Sequence, residues 1–185
     1  MRVAALLRGV NVGPHQRIAM ARLREIVAGL GHRDVETYLQ SGNVVFTAAG
    51  GPGGLEAPLA AAIAEATDLD VGVVVRTGGE LAQVVAACPY PVIDPTRVVV
   101  AFLGTAVGLE GLALGALDRY APDELTLAGR HAYVSVPNGQ GRSKLMAALT
   151  RPGLPTVVTV RNWRTVTALA DLTAARLAGR GRARP

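Results

Sequence analysis

The sequence predicts an α+β protein built from two ferredoxin-like (βαββαβ) α/β-sandwich subdomains with a C-terminal helix. Three observations carry the prediction. The first 76 residues read strand, helix, strand, strand, helix, strand, the split-βαβ order. The same order returns after residue 96, at an offset of roughly 90 residues, as an internal repeat would. Between the two runs lies "CPYPVIDP", a proline-rich connection that no helix can continue through.

The elements follow in order. A strand is expected over 2–8, then a helix over 19–30, where Met20, Leu23, Ile26, Val27 and Leu30 recur at the 3.6-residue period and Gly31 is the stop. Strands over 34–39 and 43–48 flank the turn "QSGN". A helix over 56–67 and a strand over 71–76 complete the first half, and "VGVVVRT" is β-branched as buried strands are. A helix over 79–88 leads into the proline-rich connection. The second half reads strand 97–103, helix 108–118, strands 124–128 and 131–136, helix 143–149 and strand 156–160. A last helix over 162–178 places Trp163, Val166, Leu169, Ala170, Thr173 and Leu177 on one face. The expected division is a first subdomain over 1–78, a linker over 79–95, a second subdomain with the final helix over 96–179, and a disordered basic tail over 180–185.

Composition narrows the function classes. A chain of 185 residues can bury roughly 70% of its unfolded surface, so it needs neither disulfide nor metal to be stable. Cys88 is the only cysteine, which excludes a disulfide framework and a multi-cysteine zinc site and points to a reducing, cytoplasmic setting. The apolar start "MRVAALLRGV" is broken by Arg8 and is too short for a signal peptide. Residues 98–117 imitate a membrane span with one charge, Glu110, but a β-branched first half and a glycine-spaced second half read as a buried strand, a turn and a small-residue helix. No membrane association is expected. The net charge is +5, yet Arg180, Arg182 and Arg184 stand in the tail, leaving +2 (5 − 3) on the body. The basic balance is therefore weak evidence for nucleic acid.

Polar residues are scarce enough to be informative. Of 19 basic residues only Lys144 is lysine, and there are four asparagines, Asn11, Asn43, Asn138 and Asn162, each in a loop between apolar segments. In a ferredoxin-like half both crossovers make parallel pairs, wrapped by the right-handed rule. The end of the first strand then meets the turn between the second and third. That brings Arg8 and Asn11 of "RGVNVG" beside Gln40, Ser41 and Asn43 of "QSGN". In the second half "PNGQGRSK" and "VRNW" leave their strands at one edge, gathering Asn138, Arg142, Ser143 and Lys144 with Arg161, Asn162 and Trp163. Ser143 and Asn162 also open helices, so free N–H groups add to the cations, a pattern suited to an anion. Asn-Gly turns and Ser or Asn N-caps explain several of these residues structurally. Arg161 and Lys144 have no such local explanation.

Other chemistries find little purchase. "GQGRSK" lacks the phosphate-loop spacing, and "RGVNVG" lacks the dinucleotide fingerprint, so no cofactor is expected. His15, His32 and His131 fall in unrelated segments, so no metal is expected. No paired carboxylates appear, and neither Ser41, Ser143 nor Cys88 has a base within reach by sequence argument. The inventory is rich in anion-binding groups and poor in proton-transfer groups, which leaves open whether any reaction is catalysed.

The strings "ALLRGVNVG", "YLQSGNVVF", "VVVRTGGEL", "GRSKL" and "RNWRTVTAL" resemble, in order and over nearly the whole chain, the bacterial domain-of-unknown-function 1697 family. The resemblance implies two α+β, ferredoxin-like subdomains and no established activity. The eleven candidate residues named above match its motifs: Arg8, Asn11, Gln40, Ser41, Asn43, Arg142, Ser143, Lys144, Arg161, Asn162 and Trp163. Departures occur at Pro14, His15, Gln16 and Arg17, where the family carries glycine and lysines, and at Val160 and Arg164 in place of threonine and asparagine. A site needing that lysine-rich loop or that threonine hydroxyl would be altered here. Three readings follow: binding, with or without transformation, of a small phosphorylated or carboxylated anion; an RNA-binding module; or a structural or regulatory partner protein without a ligand.

Overall fold

A computed structural model describes residues 1–12, 16–51 and 53–174. The expected end of the last helix (175–178), the basic tail and His15 lie outside them. Within them the chain is α+β, with two four-stranded antiparallel sheets in two compact units. Of the described residues, Met1–Val85 and Thr167–Ala174 form the first unit and Ala86–Val166 the second. The final helix was expected wholly with the second half; from Thr167 it belongs to the first. No helix among the described residues is long and apolar enough to cross a membrane.

The first unit runs β1 (Arg2–Leu7), α1 (Met20–Gly29), β2 (Arg33–Tyr38), β3 (Asn43–Thr47), α2 (Glu56–Thr67), β4 (Val73–Thr77) and α3 (Gly78–Ala86). Its sheet order is β2-β3-β1-β4. All neighbours are antiparallel, so the expected parallel pairs do not form. Each crossover does join strands of one direction, but a third strand lies between them. Period two divides β1: Val3, Ala5 and Leu7 enter the core with Leu23, Val27, Leu59 and Ile63 of the helices. Ala4 and Leu6, on the other face, are buried as well. Thr77 and Glu80 form a capping box at the start of α3, with Glu80 N donating to Thr77 Oγ1 (3.1 Å) and Thr77 N donating to Glu80 Oε2 (2.8 Å).

The second unit runs β5 (Val98–Leu103), β6 (Glu124–Ala128), β7 (His131–Ser135), α4 (Lys144–Thr150) and β8 (Val158–Asn162), and α5 (Trp163–Ala174) follows directly. Sheet order β6-β7-β5-β8 repeats that of the first unit. The helix expected over 108–118 is absent. Turns and one 3-10 helix, Leu117–Tyr120, occupy the crossover. Gly108, Gly111 and Gly115 each cost a helix ~1 kcal/mol relative to alanine, and Ala113 (φ 48°) and Gly115 (φ 69°) take left-handed backbone. The segment still fills its place, because Leu112 and Leu114 are buried in the core with Leu145 and Leu149 of α4.

Candidate functional site

In the first unit the two polar loops meet. Leu7 N donates to Gly42 O (2.8 Å), and Asn11 Nδ2 donates to Gln40 O (2.7 Å) and Ile18 O (3.1 Å), while its Oδ1 accepts from Ile18 N (3.0 Å). Both amide hydrogens of Asn11 are thus spent on backbone. Asn43 is 0% exposed and donates to Tyr38 O (3.0 Å) and Ser41 Oγ (2.9 Å). These amides build the turn rather than face a ligand. Gln40 and Ser41 are exposed and Arg8 is half-buried. The loops gather as the topology requires, and their asparagines hold them together.

The second unit has the more open arrangement. Register pairs Ser135 of β7 with both Val98 of β5 and Glu124 of β6, and Asn162 of β8 with Val99. The chain entering β6 and the chain leaving β7 therefore share one end of the sheet. There a pocket of about 210 Å³ is lined by Arg119, Tyr120, Ala121, Pro122, Asp123, Asn138, Arg142 and Lys144. Three cations and one carboxylate give it a formal charge of +2 (3 − 1). Among the described residues none of these four charges forms an ion pair with another. The Arg119 guanidinium lies 5.5 Å from the Tyr120 ring centroid, a cation–π contact. Arg142, Lys144 and Asn138 are exposed.

The other three residues of the expected cluster go elsewhere. Ser143 is a buried N-cap, accepting from Met146 N (2.9 Å). Helix α4, at seven residues, is too short to add a strong dipole. Asn162 is half-buried, and its Oδ1 accepts from Thr165 N (2.9 Å) as the cap of α5. Trp163, the first residue of that helix, is half-buried. Arg161 does not line the pocket. Strand β8 runs to residue 162 rather than 160, and parity then decides the face: Val158 and Val160 enter the core, whereas Thr159 and Arg161 take the opposite one. Arg161 is 8% exposed, and its Nη1 donates to Thr159 Oγ1 (2.7 Å) and Val160 O (2.8 Å). Desolvation lowers its pKa to about 10. It has a counterpart: Arg76, likewise buried, pairs with Ala4 at the register where Arg161 pairs with Val100, and its Nη1 donates to Val75 O (2.8 Å). The arginine that local sequence could not explain is a repeated feature of the last strand in each sheet.

Sequence reasoning missed Arg119, Tyr120 and Asp123. The signal was there, since any segment entering the second strand of such a half lies at the end where the third strand leaves. The strand-end loops "PNGQGRSK" and "VRNW" point to this edge; the segment that enters β6 there carries no polar motif to mark it.

Fold and pocket together define a class: a duplicated ferredoxin-like α+β protein with a small cationic pocket at one sheet end of its second unit. The chain belongs to the family described as Protein of unknown function (DUF1697), whose model matches residues 1–133. A solved structure, that of conserved bacterial protein SP0830 from Streptococcus pneumoniae, is similar in fold, with a TM-score of 0.73 at 22% identity over 93% of this chain and 98% of that one. No curated protein matches.

Proposed function

We propose that the second unit binds a small phosphorylated or carboxylated anion through Arg119, Arg142 and Lys144, with Asn138 as a further donor. The observation that carries this is a comparison within the molecule. The β7–α4 connection, "VPNGQGRS", and the β3–α2 connection, "AAGGPGGL", occupy the same position in the two repeats. The first repeat fills it with Ala, Gly, Pro and Leu alone, so the fold does not require cations in that connection. Each charge-assisted hydrogen bond to an anion could contribute ~1.5–3 kcal/mol. The RNA reading draws less support, because Phe46, Phe102 and Tyr133 are buried and cannot serve as stacking platforms.

A thermal-shift panel of small phosphorylated and carboxylated metabolites tests the proposal. A ligand at one hundred times its Kd adds about 2.7 kcal/mol. For a chain of this size Tm then rises by roughly 5–11 °C. The double variant Arg142→Ala/Lys144→Ala should abolish the rise while its unliganded Tm stays within about 2–4 °C, as expected for two exposed side chains. A panel without any shift overturns the reading.

A further inference from the structure

We propose that the ligand of this pocket carries a hydrogen-bond donor beside its anionic group, preferably an ammonium, and that Asp123 receives it; the inference rests on the anion-binding reading above. Asp123 lines the same pocket as Arg119, Arg142 and Lys144, yet among the described residues it forms an ion pair with none of them. A carboxylate in that position repels a bare anion and weakens the field that the three cations produce. A ligand with a cationic or hydroxylic donor turns that repulsion into attraction and uses all four charges.

The fold does not ask for a carboxylate here. Glu124 pairs with Ser135 as Arg33 pairs with Thr47, so the residue preceding each strand is Asp123 in one repeat and His32 in the other. Asp123 is half-buried, and its backbone N donates to Tyr120 O (2.9 Å), which fixes the main chain at the pocket wall. Size narrows the class further. At ~30 Å³ for a water-sized group, 210 Å³ holds about seven such groups. That suits a compact amino phosphate or amino acid, and a larger ligand would extend out of the pocket.

Isothermal titration of the full chain with phosphoethanolamine and ethyl phosphate separates the possibilities, because the two probes differ only in the ammonium group. The expected result is that phosphoethanolamine binds about tenfold more tightly, as a charge-assisted hydrogen bond would produce. Asp123→Asn should bring the ratio to within about twofold while ethyl phosphate binds the variant at least as well as the wild type. Lys144→Ala should weaken both probes alike. Equal affinities in the wild type, or a preference that survives Asp123→Asn, overturn this inference and leave the anion reading standing. Failure of the wild-type protein to bind these probes or their carboxylate counterparts, β-alanine and propionate, at millimolar concentration defeats both.

Discussion

Gly42 is the residue on which the first polar turn depends. Its φ of +71° lies in the left-handed region, and a Cβ there would stand 2.2 Å from Val10 Cγ2 and 2.9 Å from Leu7 Cβ. Left-handed backbone costs a non-glycine residue about 1–2 kcal/mol, and overpacking adds about 1–3 kcal/mol. Gly42→Ala should therefore destabilise the protein by roughly 2–5 kcal/mol in urea unfolding; a loss below about 0.5 kcal/mol, the scale of an ordinary surface change, would contradict this packing. His32 carries a pH dependence. It stacks on Phe46 with ring centroids 4.6 Å apart, and its Nδ1 accepts from Ala49 N (3.3 Å). Burial lowers its pKa below 6.5, because the charged form loses hydration. Below that value the unfolded chain takes up the proton more readily than the folded one, so the His32 contribution is whole above 6.5 and fades as pH falls through the lowered pKa. His32→Gln, which keeps an acceptor, should lose less stability than the wild type between about pH 7 and pH 5. Parallel pH profiles for the two proteins would refute the assignment.

At the scale of elements, the crossover between β5 and β6 shows how a missing helix is replaced. Its carbonyls lack a helical ladder, and Arg151 serves two of them, Nη2 donating to Leu112 O (3.1 Å) and Ala113 O (3.3 Å), while Nη1 donates to Ala148 O of α4 (3.1 Å). One guanidinium thereby ties this loop to the end of α4. Arg151→Ala should cost about 1–3 kcal/mol. Arg151→Lys should recover less than half of that loss in a thermal melt, because an ammonium cannot span the fork. Full recovery by lysine would mean that charge alone matters there. The absence of this helix was legible only in part. Four-residue glycine spacing reads equally as helix packing and as helix breaking, and the outcome depends on whether the buried leucines reach the core without a helix. They do. The other boundaries lie close to the sequence pattern, since Leu23, Ile26 and Val27 in α1 and the β-branched run of β4 are local signals that tertiary packing reinforces.

On the scale of the whole molecule, the two units repeat a backbone pattern while their side chains diverge. Leu7 N donates to Gly42 O and Leu103 N to Arg130 O; Arg8 N donates to Gly72 O and Gly104 N to Val157 O. These paired hydrogen bonds tie the end of the first strand to the hairpin and to the last strand in both sheets. The first unit adds the Asn11 network; at the opposite sheet end it has Arg2, which pairs with Glu36, and Arg33, where the second unit has the Arg119, Arg142 and Lys144 pocket. Sequence alone determined the order of the strands and of every helix but the one expected over 108–118, the duplication and the loops that must adjoin, because periodicity, turn residues and crossover handedness act over short stretches of chain. Tertiary structure decided which of the gathered polar groups remain available. Asn11 and Asn43 are consumed by neighbouring backbone, Arg161 is turned to the other sheet face by two further residues of strand, and Arg119 and Asp123 join Arg142 and Lys144 from a segment with no motif of its own. Those outcomes depend on strand parity and on contacts between residues distant in the chain, and no local pattern encodes either.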